Sequence, residues 1–351
     1  MTDSESAQES HSTPRIVTGG VLMGLANLVP GVSGGTMILA MGLYERFIDA
    51  LADVTRLRFN RKSIRFLILI GLGAGAAIVG LSGPAVGLVS EYRWLMYSLF
   101  IGMTLGGTPE LLKACKPFNL SAIIGFVAAF SFMAALAWGL SEAQIPENSL
   151  VFAGMGALAA SSMILPGISG SYMLLIFGMY GTVIGSASVS ALLDNPVECL
   201  KVLAPVGVGA VLGIALLSNL LKYLLSKHSV PSHAVLLGLL VGSVLGLWPF
   251  RTPVNPEMAQ KPFRKSVDML LKGSELSSVN EKYGLEISEG QASELRATYS
   301  GKGSGDLKRI GDELKPFDPN GGEIGISISL LVIGFGLTRL LGRKKLSAAP
   351  S

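Results

Sequence analysis

Val29-Pro30-Gly31-Val32-Ser33-Gly34-Gly35-Thr36 lies inside an apolar stretch and returns as Leu165-Pro166-Gly167-Ile168-Ser169-Gly170-Ser171-Tyr172. The offset, 166 − 30, is 136 residues. The same shift maps Gly20 onto Gly156, Leu22 onto Leu158, Met37 onto Met173, Gly42 onto Gly178, Tyr44 onto Tyr180 and Ile48 onto Ile184. A register kept at so many positions marks one unit present twice. Proline lacks an amide donor and clashes with the preceding turn, and paired glycines relax the backbone. Each copy is therefore expected to be two half-helices around a break. Lipid cannot satisfy freed N–H and C=O groups, so such a break survives only where protein buries it or where it lines a polar cavity. The two breaks predict that cavity.

The surrounding composition sets the solvent. Half of the 351 residues are hydrophobic, only 15% are charged, and the mean hydropathy is +0.54, which excludes an ordinary soluble domain. Apolar runs of about 17 to 25 residues recur, enough to cross a hydrocarbon core of roughly 30 Å. They predict an all-α polytopic membrane protein rather than a barrel. The acidic start, with Asp3, Glu5 and Glu9, lacks the positive region of a cleavable signal, so the first apolar stretch is expected to stay. Cys115 and Cys199 stand far apart and without metal-ligand companions, which indicates neither a disulfide framework nor a zinc site.

Loop charges set the expected path, because cytoplasmic loops are rich in Lys and Arg. Ile16 to Ile48 is the first broken segment and ends in a basic loop with Arg46, Arg56, Arg58, Arg61, Lys62 and Arg65, expected inside. Spans follow over Phe66 to Val89, Trp94 to Gly107 and Ser121 to Leu140, reaching an external loop whose only charges are Glu142 and Glu147. The second broken segment, Ser149 to Val189, is expected to begin and end outside. Spans over Val202 to Leu225, His233 to Phe250 and Ile324 to Leu341 then lead to Arg343, Lys344 and Lys345 inside. All loops agree if each broken segment enters and leaves on one face. The two repeats then point in opposite directions, an inverted-topology arrangement of three plus three spans with two re-entrant or broken hairpins.

The expected divisions are a disordered acidic cytoplasmic tail (1–15), a first membrane repeat (16–140), a second (149–250 plus 324–341), a polar extracytoplasmic insert (251–323) and a cytoplasmic tail (342–351). The insert is sparse in apolar residues, with amphipathic pieces around Val267 to Leu271 and Ile287 to Leu295. It reads as a cap or partly disordered loop, or else as a lid or docking element.

A half-helix starting at the bilayer midplane presents unpaired N–H groups and the positive end of its dipole, which suits an anion. Pro30 and Pro166 make the breaks, while Gly31, Gly34, Gly35, Gly167 and Gly170 let a ligand approach the backbone. Ser33, Thr36, Ser169 and Ser171 add hydroxyl donors, and Asn27, three residues before the first break, can order the cradle. Glycine and serine also serve as close-packing residues in membrane helices, as Gly71, Gly73 and Gly75 are expected to do. Membrane charges are scarce. Arg46 and Glu45 are placed at the inner mouth and Arg93 and Glu91 at the outer turn, with snorkelling as the plain alternative; Arg15 and Arg65 are weaker candidates.

The stretches Met23 to Thr36 with Gly42-Leu43-Tyr44-Glu45-Arg46, and Met163 to Ser171 with Gly178-Met179-Tyr180, resemble the PopT polyprenyl-phosphate transporters over nearly the whole chain. The resemblance implies undecaprenyl phosphate as substrate, returned from the outer to the cytoplasmic leaflet of a bacterial inner membrane for envelope polymers such as peptidoglycan. It also implies that Asn27 stands where members commonly carry Asp, so protonation at that position is not the coupling device. A lipid phosphate would bind both cradles from the external leaflet, the halves would rock, and it would leave inward past Arg46. No cofactor, metal or nucleic-acid partner is expected; the coupling ion, H+ or Na+, and the oligomeric state stay open. Two other classes compete. One is a secondary transporter of a small anion. The other is an intramembrane serine hydrolase using Gly31-Val32-Ser33-Gly34 with His233 as base, which the duplicated motif argues against.

Overall fold

The computed structural model describes residues 12–29, 31–138, 145–187 and 189–342. The expectations for Pro30, for residues 1–11 and 343–351 of the tails and for residues 139–144 of the external loop lie outside the described residues.

The chain is mostly helical. Helix α1 (Thr13–Leu28) carries Pro14 in its first turn, where the missing amide leaves no bond unmade, and ends at Val29 in extended backbone. After the break come α2 (Gly34–Ala40) and α3 (Tyr44–Thr55). Then follow α4 (Arg61–Glu91), α5 (Arg93–Leu105), α6 (Thr108–Ala114) and α7 (Leu120–Trp138). The second half runs α8 (Ser149–Ile164), α9 (Gly170–Ile176), α10 (Tyr180–Ser186), α11 (Val189–Asp194), α12 (Pro196–Lys227) and α13 (Ser229–Gly246). Adding 136 to the bounds of α1 and α2 gives the bounds of α8 and α9 residue for residue. The duplication seen in sequence is therefore a duplication of backbone.

A small unit follows: β1 (Arg251–Pro253), α14 (Pro256–Ala259), α15 (Lys261–Leu271), α16 (Leu276–Tyr283), α17 (Glu289–Thr298), α18 (Ser304–Asp312) and β2 (Leu314–Pro316). Strands β1 and β2 pair antiparallel and pin its two ends together. Its few apolar residues converge into two buried clusters, one of Leu270, Val279, Ile287 and Ala292 and one of Met258, Val267 and Leu307. The segment is thus folded although it is sparse in apolar residues, because short helices with a single apolar face, such as those over Val267 to Leu271 and Ile287 to Leu295, need few residues to cover one another. Helix α19 (Gly321–Gly342) closes the chain.

Among the described residues, α4, α7, α12, α13 and α19 are long and apolar enough to cross a membrane, which makes this a multi-pass helical membrane protein. Helices α4 and α12, of 31 and 32 residues, overrun the expected spans mainly at their N-terminal ends, by Arg61 to Arg65 and by Pro196 to Lys201. Helix α5 is shorter than α4 and α7. Its 13 residues rise about 20 Å before Gly106, Gly107 and Pro109 turn the chain into α6.

Packing relies on glycine. A Cβ at Gly20 would lie 2.4 Å from the Ile70 carbonyl oxygen, and one at Gly156 would lie 2.1 Å from that of Val206, the same contact 136 residues on. Gly73 against Val17 and Gly209 against Ala153 form another matched pair. Helix α1 is thereby seated on α4, and α8 on α12. Gly71 and Gly75, by contrast, meet nothing. The remaining pairs cross between the halves: α5 packs on α19, and α7 on α13. Gly102 meets Leu331, Gly334 meets Leu99 and Gly238 meets Phe126, each through a backbone carbonyl.

Candidate functional site

Both breaks have the same backbone. Gly31 and Gly167 take φ of 85° and 88°, the left-handed region that a side chain resists. Ser33 and Ser169 then open the next helices in extended conformation, with ψ of 130° and 129°. Helices α2 and α9 both end in a glycine turn, in which Leu43 N–H donates to the Ile38 carbonyl (3.0 Å) and Met179 N–H to that of Leu174 (2.9 Å).

The two breaks touch. Ser33 Oγ donates to the Leu165 carbonyl at 3.1 Å, and Gly167 N–H donates to Thr36 Oγ1 at 2.8 Å. Gly35 sits so tightly that an added Cβ would stand 2.9 Å from the carbonyl oxygens of both Met163 and Ile164. The structure thus joins Ser33, Gly35 and Thr36 to Ile164, Leu165 and Gly167, on either side of Pro166, as one knot. Ser33 and Ser169 cap nothing: the first hydroxyl is used across the knot, and the second pairs with Ser171 Oγ at 3.0 Å.

The equivalent positions differ in exposure. Helix α2 is buried throughout, Gly34 included, while Ser169 is half-buried, Gly170 buried and Ser171 exposed. Asn27 is exposed, with its amide against Gly34, where a Cβ would lie 2.9 Å from Oδ1. Arg46 is held elsewhere, its guanidinium carbon 4.6 Å from the centre of the Phe66 ring on α4. Asn27, Ser169 and Ser171 are thus the polar side chains beside the knot that are not fully buried.

Contacts between distant parts of the chain add residues that local sequence did not mark as a group. Arg15 donates to the Met41 carbonyl and, at 2.8 Å, to the Gly342 carbonyl, so one cation ends both α2 and α19. Lys222 on α12 bridges Asp49 (3.1 Å) and Asp53 (3.2 Å) on α3. Glu45 meets His233 of α13 at 3.1 Å. On the second hairpin, Gly181 is pressed against Gly305 of α18 and Lys308 Nζ lies 3.7 Å from the centre of the Tyr180 ring. A cavity of about 290 Å³ opens there between Leu175, Gly178, Thr182, Lys308 and Arg309. Among the described residues no His, Cys, Asp and Glu cluster suits a metal ion.

Residues 23–262, which contain both breaks, match the VCA0040-like family, described as undecaprenyl phosphate translocase-like. The chain belongs to this family. It is 28% identical over 251 residues to the polyprenyl-phosphate transporter of Vibrio cholerae serotype O1 (strain ATCC 39315 / El Tor Inaba N16961), covering 67% of this chain and 78% of that protein. It is 33% identical over 241 residues to the polyprenyl-phosphate transporter of Staphylococcus aureus (strain NCTC 8325 / PS 47), covering 66% and 84%. No solved structure matches. Within this undecaprenyl phosphate translocase-like chain, most of the small unit lies beyond the matched residues, whereas the knot of the two breaks lies wholly inside them.

Proposed function

We propose that this protein carries undecaprenyl phosphate, or a closely related polyprenyl phosphate, from the outer to the cytoplasmic leaflet of a bacterial inner membrane for reuse in envelope polymer synthesis. The observation that carries the proposal is the family match across both breaks, with two relatives named for polyprenyl-phosphate transport. The site proposed for the phosphate is the pair of uncapped helix starts at Gly34, Gly35 and Gly170, together with Ser169, Ser171 and Asn27. The knot residues Gly31, Ser33, Thr36, Pro166 and Gly167 hold the two starts together. The polyprenyl tail stays in lipid. Arg46 lies on the proposed inward exit, and both termini are placed in the cytoplasm, with the small unit outside.

In this proposal the repeats are inverted and the hairpins re-entrant, so the same backbone site can be approached from either leaflet. A transporter is favoured over a serine hydrolase by a specific contact pattern. Ser33 Oγ is used on the Leu165 carbonyl and the His233 ring on Ser229 and Glu45, so the proposed nucleophile and base have other partners.

The test is leaflet-resolved uptake of a labelled polyprenyl phosphate into proteoliposomes, comparing wild type with Ser169→Ala/Ser171→Ala. Hydrogen bonds to a charged group are worth about 1.5–3 kcal/mol, so affinity should fall about tenfold or more. Equal affinity and uptake in the double variant would remove the proposed site. Preference for inorganic phosphate over the lipid would favour the small-anion alternative.

A further inference from the structure

Glu45 of the first hairpin and His233 of α13 are 188 residues apart in sequence, yet Oε1 lies 3.1 Å from Nε2. The other ring nitrogen, Nδ1, lies 2.7 Å from the Ser229 carbonyl oxygen. A carbonyl oxygen only accepts, so at this distance, shorter than the 3.3 Å to the Ser229 hydroxyl, Nδ1 is assigned the hydrogen and donates it. In a neutral imidazole Nε2 is then a bare acceptor, set against a carboxylate oxygen that is also an acceptor. That contact is repulsive unless one additional proton lies between them. His233 is 7% exposed, while the Glu45 side chain is 71% exposed. The pair therefore joins a sheltered proton acceptor to a carboxylate at the surface.

The other charges around α13 are engaged elsewhere. Helix α7 carries no titratable group. On α5, Arg93 lies over the Tyr97 ring at 4.1 Å. On α6, Glu110 lies beside Gly42 and the Arg15 guanidinium, and Lys113 sits in the last turn, at the helix's C-terminal end. At the near end of α12, Lys222 sits on Asp49 and Asp53 and Lys227 lies over the Tyr223 ring, while Glu198 and Lys201 pair at the far end.

Position supplies the link to transport. Helix α13 runs on from His233 to Leu239 and Ser243, against which Gly167 of the second break is packed; an added Cβ there would lie 2.7 Å from the Leu239 oxygen and 2.8 Å from Ser243 Cβ. At 1.5 Å per residue these contacts are about 9 to 15 Å from the imidazole along one rigid helix. A bond between Glu45 and His233 therefore ties the first hairpin to the support of the second break. The 136-residue shift maps Glu45 onto Gly181 and His233 onto Tyr97, so the other half has no such pair.

We propose that Glu45 and His233 form a proton-binding site in which one exchangeable proton, carried on Nε2 and held by the Glu45 carboxylate, couples the first hairpin's movement to transport. The coupling rests on the lipid-phosphate reading above. The proton arrives from water on one side of the membrane through the exposed carboxylate, completes an imidazolium–carboxylate pair, and is released from Nε2 to water on the other side when the hairpin separates from α13. Charge and atoms balance without any redox partner.

Two measurements test this on the full chain. The protein has three histidines, His11, His228 and His233, so ¹⁵N-histidine NMR can resolve each ring. At neutral pH one ring should be protonated on both nitrogens, should vanish in His233→Gln, and should become neutral in Glu45→Gln. In proteoliposomes, coupling of one proton per lipid makes a gradient of about one pH unit shift the leaflet distribution of labelled polyprenyl phosphate about tenfold. Both variants should bind the lipid phosphate yet lose that response. A neutral His233 ring in the wild type overturns the proton site, and variants that respond to the gradient as wild type does overturn the coupling. Failure of the transport reading is separate: wild-type vesicles would move no lipid phosphate while the ring signal remained as expected.

Discussion

Ser33 and Ser169 occupy one position in two copies of a motif and do different work. Ser33 is buried and spans the knot, whereas Ser169 is half-buried and pairs with an exposed neighbour. Ser33→Ala should therefore lower stability by about 0.5–1.5 kcal/mol, the net worth of a hydrogen bond. Ser169→Ala should leave thermal unfolding in detergent nearly unchanged while weakening lipid-phosphate binding; the reverse pattern would contradict the assignment. The glycines before these serines differ in the same sense. Gly31→Ala and Gly167→Ala both force a side chain into the left-handed region, at about 1–2 kcal/mol. At Gly31 the new methyl meets only a Leu247 side-chain carbon at 3.4 Å, but at Gly167 it runs into the Leu239 carbonyl at 2.7 Å. Gly167→Ala should be the more damaging of the two, measured as loss of folded protein on heating. Motif and left-handed glycine were both readable from Pro-Gly-x-Ser-Gly. The unequal use of the two copies was not, because it depends on what each copy touches.

At the scale of elements, helices are held by close approach and by charges at their ends. Gly209 on α12 lies so near the Ala153 carbonyl that a Cβ would stand 1.8 Å from it, while at Gly207, two residues away, nothing stands within 4 Å. Gly209→Ala should push α8 and α12 apart and cost about 1–3 kcal/mol as overpacking, whereas Gly207→Ala should be neutral or slightly stabilising. Similar effects of the two substitutions on the unfolding midpoint would refute the packing. Arg15, the weak candidate of the sequence, terminates α2 and α19 together. Arg15→Ala should loosen the end of α19, giving earlier cleavage by a protease near Gly342, with about 1.5–3 kcal/mol lost from charged hydrogen bonds. The breaks after α1 and α8 followed from Pro and Gly. The seats of the helices did not, since a packing glycine and an idle one look alike in sequence.

For the whole molecule, the crossed pairs α5–α19 and α7–α13 matter most. Neither half can be lifted out as a unit, because α7 of the first half packs on α13 of the second and α19 of the second packs on α5 of the first. The small unit is threaded into the same arrangement: β1 leaves α13, β2 leads to α19, and α18 rests on the second hairpin. The proposed orientation puts this unit outside and the α3–α4 loop inside. Both native cysteines are buried, so single cysteines can be introduced without removing them. Lys302→Cys should react with an impermeant maleimide in intact cells, and Arg58→Cys only after permeabilisation. Labelling of both from the same side would reject the inverted arrangement.

Sequence alone determined the duplication, the two breaks, the helical membrane class and the family, because each is written in local residue order: a proline and its glycines, a hydropathy period, a repeated register. Only the tertiary structure decided that the breaks meet, that Ser33 and Gly167 spend their donors on each other's segment, and that His233 finds Glu45. Those contacts join residues 132, 131 and 188 positions apart. At such separations a hydrogen-bond partner is chosen by how helices pack, and nothing in the neighbouring residues encodes it.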